Sequence, residues 1–287
     1  MLRFKSRNKE YVFDQPVVMG ILNVTPDSFS DGGKFNEIDT ALAHCETMLN
    51  EGAAIIDIGG CSTRSNNAIA TESEELERVI PIVKSIREHF SEAILSVDTF
   101  RKSIAEACIS EGADIVNDIS GGLFDDEMLP FIGKNHIPYV MMHCVGTPET
   151  MHQYKLEGDI HQTVMDFFKN QHKKLEASTS HVIPSEERAK GIYDQQIILD
   201  PGIGFGKTID SNFALLSNLE EYRFNGYPIL IGISRKSFIF KTLGCTPQEA
   251  DNGTTVANTI AILNGADILR VHDVKKAIEA ITLTSHL

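Results

Sequence analysis

Polar and charged residues stand directly after eight short apolar segments of the chain, and their side chains could carry out chemistry. The set comprises Asn23, Asp27, Thr63, Arg64, Asp98, Asn117, Asp118, His143, Asp200, Lys207, Ser234, Arg235, Lys236, Ser237, Arg270, His272 and Asp273. Single members have ordinary structural alternatives: Asp98 could cap a helix, Asp200 could form a turn, and a histidine could simply be buried. Eight such coincidences favour a binding site.

The cations in this set indicate an anion site, because the chain as a whole is acidic. Its formal net charge is −14. The groups of the set that are cationic or can become so are Arg64, Arg235, Lys236, Arg270 and His272. A guanidinium matches the geometry of phosphate oxygens. Asp98, Asn117 and Asp200 are instead acceptors without an obvious internal cation, and would suit a flat ligand rich in N–H groups, such as an aminopyrimidine. The set therefore predicts an N–H-rich ligand that carries phosphate.

A repeated unit of apolar strand, polar loop and amphipathic helix would position these residues. The apolar runs predict strands near 17–23, 54–60, 94–99, 114–119, 138–143, 196–201, 228–234 and 267–272, and helical spacing predicts helices over 38–50, 73–90 and 160–175. Eight units without a shift in composition favour an α/β protein with a single domain over residues 1–287, a (β/α)8 TIM barrel whose active site lies where the strands end. A doubly wound open sheet is the alternative, but no GxGxxG follows the first strand.

Composition narrows the partners and the compartment. The acidic balance argues against nucleic acid, because phosphate contacts require clustered lysine and arginine. No apolar run is long enough for a membrane span, and the N-terminal segment lacks the apolar core of a signal peptide. Five cysteines without a CxxC pair predict neither a disulfide scaffold nor a zinc site. We therefore expect a cytoplasmic protein that binds small molecules rather than nucleic acid or membrane.

Eight segments, in chain order, resemble a known family. They are VMGILNVTPDSFSDGG, IIDIGGCSTR, SVDT, VNDISGG, YVMMH, ILDPGIGFGK, GISRKSF and ILRVHD. Together they resemble the dihydropteroate synthases from about residue 17 to about residue 280. The resemblance implies a TIM barrel, usually a homodimer, that requires Mg²⁺ and joins 6-hydroxymethyl-7,8-dihydropterin diphosphate to p-aminobenzoate. The products are 7,8-dihydropteroate and pyrophosphate, in a step of folate biosynthesis.

The resemblance also implies roles for individual positions. Asn23 corresponds to a Mg²⁺ ligand beside the diphosphate, whose oxygens would be held by Thr63, Arg270 and His272. The implied pterin set is Asp98, Asn117, Asp200 and Lys236, with Met142 as an apolar wall. The implied surroundings of p-aminobenzoate are Phe29, Phe205, Lys236 and Ser237, with Arg64 retained in the loop of Thr63.

The family mechanism is dissociative and assigns catalysis to Asp98, Lys236, Arg270 and His272. Diphosphate leaves first, so the site must stabilise two separating charges. Arg270 and His272 would neutralise the diphosphate, and Asp98 would favour the pterin cation. The amine of p-aminobenzoate attacks afterwards.

One loop departs from the family. The usual GGESTRPG reads GGCSTRSN over residues 59–66, so that Cys61 replaces a glutamate and Ser65-Asn66 replaces Pro-Gly. Without the fixed φ of proline, ordering this loop costs more entropy. We therefore expect altered affinity for p-aminobenzoate and its sulfonamide mimics. Cys61 is expected to be a small neutral loop residue rather than a redox switch.

Two other classes remain as alternatives. A pterin-binding methyltetrahydrofolate–corrinoid methyltransferase would share the aspartate and asparagine acceptors, but would not need the diphosphate set or the long first loop. A non-catalytic pterin-binding protein would need only the fold. TPDSFSDGG and the paired segments SRKS and RVH favour the synthase.

Overall fold

The computed structural model describes residues 2–25, 34–61, 69–147, 150, 156, 158–179 and 197–287. The strands are β1 (Leu2–Ser6), β2 (Lys9–Phe13), β3 (Val17–Asn23), β4 (Ile55–Gly59), β5 (Ile94–Asp98), β6 (Ile115–Asp118), β7 (Tyr139–Met142), β8 (Ile197–Asp200), β9 (Leu230–Ile231) and β10 (Ile268–Val271). The helices are α1 (Lys34–Asn50), α2 (Glu72–His89), α3 (Lys102–Ser110), α4 (Met128–Asn135), α5 (Ile160–Thr179), α6 (Ile209–Ser217), α7 (Ser237–Leu243), α8 (Asp251–Leu263) and α9 (Val274–Thr284).

Strands β3 to β10 form a closed parallel barrel. Consecutive strands pair from β3 to β8, and β10 lies between β9 and β3. The circle closes between β8 and β9, where Leu199 and Ile229 form a parallel bridge and the Leu199 N–H donates to Pro228 O at 2.8 Å. The expected single (β/α)8 TIM barrel is confirmed.

Alternation along the strands divides the core into two layers. Val17, Met19 and Ile55 belong to a cluster inside the barrel, at the amino ends of the strands. Val18 and Ile56 belong to the larger cluster between the strands and the helices. Because successive side chains point to opposite faces of a strand, both faces can be apolar at once. We call the amino ends of the strands the base of the barrel and their carboxyl ends the mouth.

A hairpin that the sequence analysis did not predict covers the base. Strands β1 and β2 pair antiparallel, from Leu2 opposite Phe13 to Ser6 opposite Lys9. Arg7 and Asn8 between them both have positive φ, as a two-residue type I′ loop requires. Arg-Asn is not the Asn-Gly pair that usually indicates such a turn, so the sequence pattern did not predict the hairpin. Phe4 is fully buried in the interior cluster, so the hairpin plugs the barrel from below.

The other elements match their expected positions closely. Every barrel strand falls within its predicted range, but β9 is shorter, because only Leu230 and Ile231 form ladder pairs with β10. Helix α1 begins four residues before the predicted 38–50 segment, and α5 continues past residue 175 to Thr179. Among the described residues, no helix is both long and apolar enough to cross a membrane.

Candidate active site

Hydrogen-bond register brings the ends of four neighbouring strands to one level of the mouth. Asn23 of β3 is the partner of Gly59 in β4, Gly59 is the partner of Asp98 in β5, and Asp98 is the partner of Asn117 in β6. Three polar side chains from different parts of the sequence are therefore adjacent in space. The prediction that Asn23, Asp98 and Asn117 share one rim agrees with this register.

An arginine lies at the mouth and contacts two carboxylates, of which Asp57 is fully buried and Asp98 is partly buried. Arg270 Nε donates to Asp57 Oδ2 at 2.6 Å, and Arg270 Nη2 donates to Asp98 Oδ2 at 2.5 Å. Asn117 Nδ2 also donates to Asp57 Oδ2, at 3.0 Å. The expectation that the acceptors have no internal cation is therefore wrong. Arg270 is on β10, and the alternation of side chains along that strand turns Arg270 into the barrel. The sequence placed Arg270 near a strand end but did not show which way its side chain points.

Burial and pairing act against each other in this network. Burial raises the pKa of Asp98 to about 7, although Arg270 opposes the shift. Burial would by itself lower the pKa of Arg270, but Asp57 and Asp98 raise it above its ordinary value. Arg270 thus stays charged, while Asp98 can exchange a proton near neutral pH.

A second cluster at the mouth joins Asp200, Lys236 and Phe205. Asp200 Oδ1 accepts the Gly202 N–H at 2.7 Å, so the turn that was its structural alternative is real. Lys236 Nζ donates to Ile203 O and lies 4.4 Å from the centre of the Phe205 ring. Burial lowers the pKa of Lys236 to about 8, against the charge of Asp200. Burial also raises the pKa of Asp200, against Lys236. Both ions are poorly solvated and can gain from a polar ligand.

Several rim residues serve the fold rather than a ligand. Asp118 accepts hydrogen bonds from Ser120, Gly122 and Tyr139. Lys207 Nζ donates to the carbonyls of His143, Gly202 and Phe205 at 3.3, 2.7 and 3.1 Å. Gly202 has φ +70°, and a Cβ there would lie 1.8 Å from His143 O, so only glycine fits. These bonds shape the loops after β6 and β8.

The loops after β9 and β10 contain two residues that were expected at the anion-binding site, His272 and Arg235. His272 Nδ1 lies 3.0 Å from Ser234 Oγ at the mouth. Arg235 Nε instead forms an ion pair with Asp251 Oδ1 at 3.1 Å. Its φ is +56°, in the left-handed region. Arg235 thus contacts a carboxylate of α8, and its contribution to the anion site stays a prediction.

Apolar residues form a wall beside these charges. Met142 is buried with Ile119 and Cys144, and Phe205 packs against the same cluster. Ser237 is exposed at the start of α7. Phe29, Thr63 and Arg64, together with Asp27, Ser65 and Asn66, lie outside the described residues.

Asn23 is the residue expected to bind Mg²⁺, and its surroundings fit that ion. A Cβ atom on Gly59 would lie 3.8 Å from Asn23 Oδ1 and 3.6 Å from Asp98 Oδ2, so an amide oxygen and a carboxylate oxygen flank the same glycine. Magnesium prefers oxygen ligands and often takes only one or two from the protein, the rest coming from phosphate and water. Within the described residues, no cluster of three or more His, Cys, Asp or Glu could hold a metal by itself.

Asp57 is a candidate functional residue that the sequence analysis missed, because it contacts both Arg270 and Asn117. It stands in the middle of the apolar strand Ile55–Gly59 and is 0% exposed. A carboxylate is almost never fully buried unless it is paired. An aspartate inside an apolar strand was therefore the signal from which its pairing could have been predicted. The search for residues at strand ends passed over it, because it lies one inward-facing position below the end.

Comparison with known proteins identifies the family. The model of the family described as "Pterin binding enzyme" matches residues 19–272. The dihydropteroate synthase of Synechocystis sp. is 45% identical over 259 residues, covering 90% of this chain and 85% of that protein. That of Escherichia coli K12 is 41% identical over 265 residues, covering 92% and 89%.

Solved structures agree with the sequence relatives. A Yersinia pestis dihydropteroate synthase in a sulfonamide drug complex has a TM-score of 0.87 at 37% identity, covering 99% of this chain and 98% of that chain. A Xanthomonas albilineans dihydropteroate synthase with 4-aminobenzoic acid has a TM-score of 0.86 at 32% identity, covering 100% and 98%.

The chain therefore belongs to the pterin-binding enzymes, a family of TIM-barrel proteins. Its function is that of a dihydropteroate synthase, a transferase of folate biosynthesis that acts on small molecules. The resemblance seen in the sequence is confirmed. The alternative of a corrinoid methyltransferase is not favoured.

Proposed function

We propose that the mouth condenses 6-hydroxymethyl-7,8-dihydropterin diphosphate with p-aminobenzoate by dissociative loss of diphosphate. The observation that carries the proposal is the arrangement of Arg270 between the carboxylates of Asp57 and Asp98. A site of this kind holds the positive charge of Arg270 within hydrogen-bond distance of carboxylate oxygens. Those are the charges that a departing diphosphate and a pterin cation require.

The pterin would bind to Asp98, Asn117, Asp200 and Lys236, against Met142. Asp200 would accept N–H groups of the aminopyrimidine edge, and Lys236 would donate to the ring carbonyl. Both are desolvated before the ligand arrives, as the shifts of their pKa values indicate. Hydrogen bonds to the ligand would satisfy them without removing further water.

The diphosphate would lie between Asn23 and the pair Arg270 and His272, with Thr63 as a further donor. When bound at Asn23, Mg²⁺ would add positive charge beside the diphosphate oxygens. Arg270 would hold the oxygens with donors that Asp57 and Asp98 keep in a fixed plane. Catalysis thus falls to Asp98, Lys236, Arg270 and His272.

The second substrate would bind at the outer side of Lys236, near Phe205, Ser237, Phe29 and Arg64. The aromatic ring of Phe205 lies against the Lys236 ammonium, which favours a nearby carboxylate over a second cation. The relatives crystallised with 4-aminobenzoic acid and with a sulfonamide support a small aromatic acceptor. An aniline nitrogen is nucleophilic when neutral, so the attack needs no strong general base.

A second copy of the chain is the proposed protein partner. Val256, Ile260 and Leu263 are exposed along one face of α8, and Leu243 of α7 is exposed beside that helix. An apolar face of this kind on the outside of the barrel is typical of an interface.

We also expect the chain to act as one domain over residues 1–287. The expected compartment is the cytoplasm, where its five unpaired thiols would stay reduced.

Pyrophosphate release from the purified protein tests the proposed reaction. With the pterin diphosphate and Mg²⁺, release should depend on p-aminobenzoate and yield dihydropteroate. Asp200→Asn should raise KM for the pterin diphosphate by about tenfold or more, because a hydrogen bond to a charged group is lost. Asp267→Asn is the matched control, since Asp267 pairs with Arg223 at the base. Tight pterin binding without turnover would contradict the proposal.

A further inference from the structure

Asp57 links two side chains to which the proposed function gives different tasks. Its Oδ2 atom accepts one hydrogen bond from Asn117 Nδ2 and another from Arg270 Nε. Asn117 belongs to the proposed pterin set, whereas Arg270 belongs to the proposed diphosphate set. One carboxylate oxygen therefore fixes a residue for each half of the same substrate.

The position of Asp57 in its strand makes it a support rather than a ligand. Ile55 of β4 faces the interior cluster, and Ile56 and Ile58 face the helices. Asp57 therefore points into the barrel, above the apolar layer of Ile55 and below the level of Gly59. It is 0% exposed, and its carboxylate accepts hydrogen bonds from Asn117 and Arg270.

The contact with Asp57 also decides how Asn117 presents its amide. Because Asn117 Nδ2 donates to the carboxylate, the amide oxygen faces another direction. An oxygen turned toward the mouth accepts N–H groups, which suits the N–H-rich pterin ring. The same reasoning applies to Arg270, whose plane is set by Nε on Asp57 and Nη2 on Asp98.

We propose that Asp57 is a positioning residue that holds Asn117 toward the pterin ring and Arg270 toward the diphosphate in one fixed relation. The inference rests on the proposed function of the mouth. Asp57 touches neither substrate and acts through these two side chains. A displacement of about 1 Å in such groups can cost about 10²-fold in rate.

A buried carboxylate at the base provides a matched control. Asp114 is also 0% exposed in side chain and also pairs with arginine, at 2.7 Å to both Arg7 and Arg87. It lies at the opposite end of the barrel from Asn117. Replacement of either aspartate by asparagine removes one buried charge of the same kind, but only one of the two lies beneath the proposed site.

The test compares Asp57→Asn and Asp114→Asn by binding and kinetics. Calorimetry with two separate probes, 6-hydroxymethylpterin and inorganic pyrophosphate with Mg²⁺, reports each half of the site. In Asp57→Asn we expect both affinities to fall by about tenfold and kcat by about 10²-fold, as for other residues that orient ligating groups. KM for p-aminobenzoate should change less than twofold. In Asp114→Asn all four values should stay close to those of the unaltered protein.

A second variant separates positioning from charge and guards against misfolding. Asp57→Glu keeps the negative charge and moves the carboxylate by one methylene. Positioning predicts that both probe affinities fall in this variant too, whereas a purely electrostatic role predicts that they are retained. Unchanged affinities and kcat in Asp57→Asn, or retained affinities in Asp57→Glu, would overturn the inference. If the unaltered protein binds neither probe and releases no pyrophosphate, the proposed function itself fails.

Discussion

The base and the mouth of the barrel both contain a partly buried arginine beside a fully buried carboxylate, but they satisfy these groups differently. At the base, Arg87 donates from all three guanidinium nitrogens, to Asp114 and to the carbonyls of Gly112, Ser91 and Ala93. Asp114 accepts from Ser6, Arg7, Arg87 and the Leu95 N–H. The network is closed upon itself.

At the mouth the equivalent groups are left partly unsatisfied. Within the part of the chain that the structure describes, Asp57 Oδ1 and His143 Nδ1 are buried without a hydrogen-bond partner. Burial lowers the pKa of His143 to about 3, so its ring is neutral at physiological pH. An unpaired nitrogen on a neutral ring costs less free energy than an unpaired charge. Burial also raises the pKa of Asp98 to about 7 and lowers that of Lys236 to about 8. Buried groups without partners reduce stability, and those that reach the mouth, such as Asp98 and Lys236, can gain partners from a ligand.

Structural and functional ion pairs in this barrel differ in how completely their groups are paired. Both ends of the barrel contain buried charges, so burial alone does not separate them. What separates them is whether every donor and acceptor is already used within the fold. Local rules of stability are most often broken where a protein binds something.

Replacing the two arginines should give the largest contrast. We expect Arg270→Gln to lower kcat by about 10³-fold, because a charge that stabilises the departing diphosphate is lost. We expect Arg87→Gln to leave kcat nearly unchanged and to lower the free energy of unfolding by about 3 kcal/mol, since buried acceptors lose their partner. Pyrophosphate release and urea unfolding measure the two effects. A comparable loss of kcat in Arg87→Gln would remove the distinction between base and mouth.

The same contrast explains what could be predicted from the sequence. Strand and helix periodicity fixed the barrel, and polar residues at strand ends located the mouth, because both depend on local pattern. The hairpin of β1 and β2 was missed, since its turn at Arg7-Asn8 lacks a strong signal. The partners of Arg270 were missed as well. Which way a side chain at a strand end points depends on alternation and register, and these depend on the packed barrel.

The hairpin at the base should affect stability without affecting the mouth. Phe4 is fully buried and stacks on Tyr11 with ring centres 5.1 Å apart. Phe4→Ala should lower the free energy of unfolding by about 3–5 kcal/mol, through lost burial and the cavity left behind. Val12 lies in the same hairpin but is 45% exposed, so Val12→Ala should cost less than about 0.5 kcal/mol. KM for both substrates should be unchanged in each variant, and a changed KM would show that the base reaches the site.

Titration of Lys236 should make ligand affinity at the mouth depend on pH. Burial lowers its pKa to about 8, so the ammonium is lost as the pH rises through that value. Affinity for 6-hydroxymethylpterin should then fall above pH 8, by up to about tenfold per pH unit, because the charged donor disappears. Lys236→Arg keeps the charge at these pH values and should remove this limb. A decline that persists unchanged in Lys236→Arg would belong to the ligand and would exclude Lys236 as its origin.

The smallest expected effect concerns the loop between β4 and α2, where Ser65-Asn66 replaces the Pro-Gly that is usual in the family. Ser65 lies outside the described residues, so this prediction rests on the sequence alone. Proline restricts the unfolded loop and commonly stabilises an ordered conformation by about 0.4–1 kcal/mol, which corresponds to about two- to fivefold in binding. Ser65→Pro should therefore lower the inhibition constant of a sulfonamide, and KM for p-aminobenzoate, by that factor.

The pterin half of the mouth serves as the internal control for Ser65→Pro. Affinity for 6-hydroxymethylpterin should not change, because Asp98, Asn117 and Asp200 lie at the ends of barrel strands. A sulfonamide inhibition constant identical to that of the unaltered protein would show that the replaced proline does not tune the second site. A matching gain in pterin affinity would show instead that the loop acts on the whole mouth. The first result would move the origin of the sulfonamide response from the entropy of this loop to the strand ends, whereas the second would extend the influence of the loop to the pterin half.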